Sequence, residues 1–124
     1  MKKELNSPKA PGAIGPYSQA VMAGNLIFVS GQLPINAETG EMPADIKAQT
    51  AQSIENIKAI LAEANATLDN VLKTTVYLAD MSLFGEMNEV YAQHFNKVYP
   101  ARAAFAVKEL PKKALVEIEV VAYV

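Results

Sequence analysis

The apolar positions change period several times along the chain, and each change marks a change of element. Residues 26–32, L-I-F-V-S-G-Q, form a β-prone run preceded by Gly24-Asn25, a dipeptide that tolerates positive φ and suits a hairpin turn after Q-A-V-M-A. Strict alternation places Leu26, Phe28 and Ser30 on one face of this strand and Ile27, Val29 and Gly31 on the other. The stretch P-I-N-A-E-T-G-E-M-P, 34–43, is a loop by composition. From Asp45, a candidate N-cap, Ile46, Ile54, Ile57, Leu61 and Ala64 recur at helical spacing and predict a helix ending near Ala64. Residues 71–79, V-L-K-T-T-V-Y-L-A, return to strand character. A second helix is predicted with Ser82 as cap, a stripe of Phe84, Met87, Val90, Tyr91, His94, Phe95 and Val98, and Pro100 as its stop. Two further strands close the chain around an L-P-K-K turn.

This order, β-β-α-β-α-β-β, predicts an α+β fold in one domain, residues 1–124: a single sheet with two helices on one face. The last strand makes the consequence visible. Ala114, Val116, Ile118, Val120, Ala122 and Val124 form an apolar face for the helices, whereas Leu115, Glu117, Glu119, Val121 and Tyr123 face away. Two helices cover only one side of a sheet. The half-apolar second face, with Phe28 on it, predicts burial against another copy of the chain.

Charge enters the picture at that face. Glu117 and Glu119 share it, and Arg102, the sole arginine, stands at the mouth of the preceding strand. If the L-P-K-K turn closes a hairpin, Arg102 approaches Glu117 across it. Two readings remain open from the residues alone. One is a cross-strand salt bridge of little energetic weight. The other is a carboxylate-binding pocket, in which the planar guanidinium grips a small anion bidentately and the glutamate positions a water.

Composition narrows the function classes. The formal net charge is −2 with no basic run, which argues against nucleic acid as a partner, since phosphate binding needs clustered positive charge. No cysteine is present, so disulfides, thiolate catalysis and cysteine-ligated metal are excluded, and one histidine, His94, cannot build a histidine-rich metal site. No run of 18 apolar residues exists to span a membrane and the first residues lack a signal-peptide core, so a cytoplasmic protein is expected.

P-A-R-A-A-F-A-V-x-x-L-P followed by V-E-I-E resembles the signature of the RidA (reactive intermediate deaminase, YjgF-type) family. So do A-I-G-P-Y-S-Q-A at 13–20, V-S-G-Q-L-P at 29–34, G-E-M-P-A-D-I at 40–46, K-T-T-V-Y-L-A-D-M at 73–81 and N-E-V-Y at 88–91. The ordered set spans essentially the whole chain. It implies a chorismate-mutase-like fold with a mixed sheet, a homotrimer with a site between subunits, and hydrolysis of 2-imino acids such as 2-iminobutanoate and 2-iminopropanoate to 2-oxo acids and ammonia. These imines are released by pyridoxal-phosphate (PLP)-dependent threonine and serine dehydratases, and the hydrolysis itself would need no metal or organic cofactor.

By the same resemblance, Arg102 is the carboxylate-binding residue, Glu117 acts on the attacking water, and Tyr17 reaches the substrate. Ser30 and Gly31 line the pocket, with Asn88 a further substrate-binding residue. Glu119 reads as structural or interfacial. Many members carry a cysteine two residues after the arginine, where this chain has Ala104; no thiol can serve its chemistry. Two alternatives stand beside the deaminase: a non-catalytic module that binds small carboxylates such as 2-oxo acids, and an endoribonuclease or translation inhibitor, which the net charge disfavours.

Overall fold

In the computed structural model, which describes residues 1–124, the β-prone runs become strands and the 3.6-period runs become two α-helices. The elements are β1 (Lys2–Leu5), β2 (Ala20–Ala23), β3 (Leu26–Gln32), α1 (Ile46–Ala62), β4 (Val71–Leu78), α2 (Phe84–His94), β5 (Ala101–Ala106) and β6 (Val116–Tyr123). All six strands join one sheet in the order β1-β2-β3-β6-β4-β5, antiparallel throughout except for the parallel pair β4/β5. The mixed sheet and the two helices agree with the expected α+β class.

The core lies between the sheet and the helices. Ile27 and Val29 of β3, Val76 and Leu78 of β4, and Val116, Ile118, Val120 and Ala122 of β6 meet Ile54, Ile57, Ile60 and Leu61 of α1 and Met87 of α2. Alternation thus buries one residue in two along β6, and Glu117 and Glu119 fall on the opposite, open face. Asp45 caps α1 as anticipated, its carboxylate accepting the Ala48 N–H at 2.8 Å.

Four local expectations are corrected. β5 and β6 do not form a hairpin: β6 inserts between β3 and β4, while β5 pairs only with β4. β6 buries four residues at 3 % exposure or less and so occupies the centre, whereas β5, A-R-A-A-F-A, has no fully buried residue and takes the edge. The α2 crossover delivers β5 parallel to β4, as a strand–helix–strand connection requires. The early strand β1 was unforeseen because K-K-E-L is mostly charged, a composition suited to an edge. Asp80, not Ser82, makes the cap before α2: its side chain accepts the Ser82 N–H at 2.8 Å at a short 3-10 turn, Met81–Leu83. Finally, α2 ends at His94, so Val98 lies outside the stripe and is exposed.

Candidate active site

The open face of β3 and β6 carries one group of the candidate residues. Val29 pairs with Val120 and Gln32 with Ile118, so Ser30 and Gly31 together stand opposite the single residue Glu119. This two-against-one bulge reverses the alternation, returns Gln32 to the core and leaves Gly31 beside Glu117. Simple alternation had placed Gly31 with Ile27 and Val29; the bulge overturns that assignment. A β-carbon at Gly31 would lie 2.8 Å from Glu117 Cδ and overlap the carboxylate itself, so glycine is what leaves room for it.

The loop 11–19 folds over this bulge. Ser30 Oγ donates to the Ser18 carbonyl at 2.6 Å and the Ser30 N–H to the Gln19 carbonyl at 2.9 Å. Gln19, fully buried, ties the loop down by donating to the Pro11 carbonyl at 2.8 Å and accepting the Ser7 N–H at 2.7 Å. Tyr17 is thereby held at the edge of a cavity of about 310 Å³ that also includes Gly31, Gln32, Leu33 and Ile35, with half of the tyrosine left accessible. Ser30 thus serves the loop geometry with its hydroxyl.

Glu117 is half-buried, and its carboxyl is pushed above the ordinary range by loss of solvent and, second, by the charge of Glu119. Glu119 accepts a hydrogen bond from the Tyr77 hydroxyl. Tyr77 lies opposite Glu117 on β4, and its own ionisation is pushed up to about 12, first by that hydrogen bond.

Arg102 and Asn88 form a second, separate group. In the parallel register Arg102 lies beside Thr74, a buried residue whose hydroxyl bonds Tyr91 of α2 at 2.8 Å. Arg102 therefore sits on the helix side of the sheet edge, its guanidinium 4.7 Å from the Tyr91 ring centre and 5.4 Å from that of Phe84. Its Nη1 donates to Asn88 Oδ1 at 2.6 Å. Arg102, Asn88, Tyr91, Tyr99 and Pro100 line an open depression. The guanidinium is exposed, has no carboxylate partner in the protomer and is pre-aimed by two aromatic rings and an amide.

The structure thus brings Tyr17, Ser30, Gly31 and Glu117 together, and Arg102 with Asn88, but it does not bring the two groups together. Arg102 does not reach Glu117 across a hairpin, because no such hairpin exists and the two side chains project from opposite faces. Neither the salt bridge nor a pocket shared within one protomer forms. Sequence reasoning missed Phe84 and Tyr91 as supports of the arginine, reading them only as a core stripe. Their separation by seven residues, two turns on one helix face, was the available signal. Tyr77 was read only as part of a strand.

Known proteins resemble this chain over its full length. The family model described as Endoribonuclease L-PSP matches residues 7–124. A RutC family protein of Pyrococcus abyssi is 55% identical over 123 residues, covering 98% of this chain and 97% of its own. TdcF of Escherichia coli, a provisionally assigned reactive intermediate deaminase, is 44% identical over 125 residues, with 98% and 97% covered. Its crystal structure with bound serine matches with a TM-score of 0.95 over 98% of both chains. The crystal structure of RidA from an Antarctic Psychrobacter species matches equally well, TM-score 0.95, at 46% identity over 98% of this chain and 99% of its own.

Proposed function

The chain belongs to the Endoribonuclease L-PSP family, which includes RidA and TdcF, and from that premise we propose that it hydrolyses 2-imino acids to 2-oxo acids and ammonia. The observation that carries the reading is the pre-aimed, unpaired Arg102 on one edge and the desolvated Glu117 beside Gly31 on the open face. Each is half of a site. Joining them across a contact between protomers, in a homotrimer, gives a carboxylate anchor and a base in one cleft. Phe28, Leu26, Phe105 and Tyr123, exposed on the molecule by 37–45 %, supply apolar surface for such contacts.

The chemistry needs little beyond position. A protonated imine is already electrophilic, so the site has to fix the substrate and bring one water to the imine carbon. Arg102 grips the carboxylate with two parallel N–H donors, and Asn88 and the two rings hold the fork in place. Glu117 takes a proton as the water oxygen bonds to carbon and returns it to nitrogen; as the C–N bond breaks and the carbonyl forms, the hydroxyl proton passes to the departing ammonia, which leaves as ammonium. A carboxyl raised toward neutrality suits both transfers better than an ordinary one. Tyr17 orients the substrate from the loop side, Ser30 and Gly31 shape the wall, and the hydrolysis calls for no metal or organic cofactor. Serine bound to TdcF is a small 2-amino carboxylate, in keeping with an anchor for that group. In the cell, PLP-dependent threonine and serine dehydratases would supply the imines.

The family's description favours a second reading, RNA cleavage. A net charge of −2 and two carboxylates on the open face oppose phosphate binding. A threonine dehydratase assay, reading 2-oxobutanoate formation against semicarbazide trapping of the imine, tests the first reading. We expect wild-type acceleration and a loss of about 100-fold or more in Arg102→Ala and in Arg102→Lys, which keeps the charge but lacks the fork. Unchanged turnover in both removes Arg102 from the reaction. RNA cleavage without imine turnover replaces the reading altogether.

A further inference from the structure

Glu119 has no place in the reaction above, yet a tyrosine hydroxyl holds it on the open face. It stands two residues from Glu117 on β6 and therefore projects from the same side. The Tyr77 hydroxyl donates to Glu119 Oε1. Tyr77 is itself the cross-strand neighbour of Glu117, and its ring is braced edge-on against Phe105 of β5 at a centroid distance of 5.6 Å. Three residues on two strands thus form a closed cluster, in which Tyr77 lies beside one carboxylate and bonds the other.

We infer that Tyr77 and Glu119 are a positioning pair for Glu117: the phenol fixes the Glu119 carboxylate on the open face, where its charge bears on the Glu117 carboxyl two residues away. This role rests on the imine-hydrolysis reading for its effect on rate, though not for its effect on proton binding.

The groups facing Glu117 are few. Glu119 stands on its own strand, Tyr77 on β4 and the side-chain-free Gly31 on β3, while Tyr17 and Lys112 line the cavity that reaches Gly31 from the loop side. Lys2 of β1 and Tyr17 share a depression with Glu119 on its far side. No cation contacts Glu117 within the protomer. Two carboxylates without a cation between them resist simultaneous ionisation. With an ionisation pushed up to about 12, Tyr77 remains a donor throughout the working pH range. The pair's negative charge then favours the proton on Glu117, and in an assembled site the same charge stabilises the iminium form of the substrate.

Glu119→Gln isolates the charge, because the amide oxygen still accepts the Tyr77 hydroxyl. Carboxyl carbon NMR titration of the full-length protein, with the Glu117 signal assigned by its loss in Glu117→Gln, reads the coupling without any substrate. We expect the Glu117 titration to move down by about half a pH unit or more in Glu119→Gln, and by a smaller step in the same direction in Tyr77→Phe, whose freed carboxylate turns to solvent. The acid limb of the pH profile of imine hydrolysis should move with it. An unmoved Glu117 titration in Glu119→Gln overturns the pair outright. A moved titration with an unmoved acid limb overturns its part in turnover. A titration that moves in Glu119→Gln, with no imine turnover by the wild-type protein at any pH, upholds the pair and sinks the reaction instead.

Discussion

Gly31 is the residue on which the proposed open-face half-site turns. It lies within a bulge and its missing β-carbon is the space that the Glu117 carboxylate occupies. Gly31→Ala should leave a folded chain and lower kcat/KM for an imine substrate by about 100-fold, because displacing the proposed base by even an ångström has that scale of effect; steady-state kinetics alongside circular dichroism would check it. Glu117 carries a cost in the opposite sense. A carboxyl whose folded value is raised binds its proton more tightly when folded, so it adds stability at acid pH and loses that contribution as pH climbs past the folded value. Glu117→Gln should therefore melt higher than wild type at neutral pH, converge with it at acid pH, and turn over far more slowly. Thermal melts across pH against the assay readily distinguish this from a purely structural role.

Strands and helices follow local chemistry closely, but their neighbours do not. The Asp45 cap was legible because a capping carboxylate acts within one turn, and Asp45→Ala should cost about 1 kcal/mol in urea denaturation. The cap before α2 was misplaced by two residues, since Asp80 and Ser82 both suit the position and only the turn geometry chooses. The Ser82 hydrogen bonds hold the Asp80 carboxyl below its ordinary range, so this support exists at neutral pH and is lost as pH falls through that range. Asp80→Ala should accordingly lower the melting temperature, and Ser82→Ala, which keeps the backbone N–H donor but loses the side-chain bond, should lower it by less. Strand pairing lies beyond such local signals. The sequence shows β6 to be the most regularly apolar strand, yet its place between β3 and β4 depends on contacts far away along the chain.

At the scale of the molecule, the two half-sites predict that neither protomer works alone. Arg102 and Glu117 belong to different faces, so an assembly that unites them must draw each from a different chain. If so, unfolding and refolding an equal mixture of Arg102→Ala and Glu117→Gln proteins should restore activity to about a quarter of wild type, because random assembly pairs an intact arginine with an intact glutamate at one interface in four. Failure to rise above the two parents, with a homotrimer verified by light scattering, would place both groups in one chain's own site or remove one of them from it.

What the linear order determined by itself was most of what short-range physics governs. That covers the periods of the strands and helices, the apolar and charged faces of β6, the Asp45 cap and the chemical types available for a site. The tertiary structure alone decided which strands are neighbours, that Ser30 and Gly31 share a bulge, and that Arg102 leans on Tyr91 and Phe84 rather than on Glu117. The reason is common to all three. A one-residue bulge reverses which face a side chain occupies, and a crossover replaces a hairpin, for differences in free energy spread over the whole packed sheet and written in no single segment.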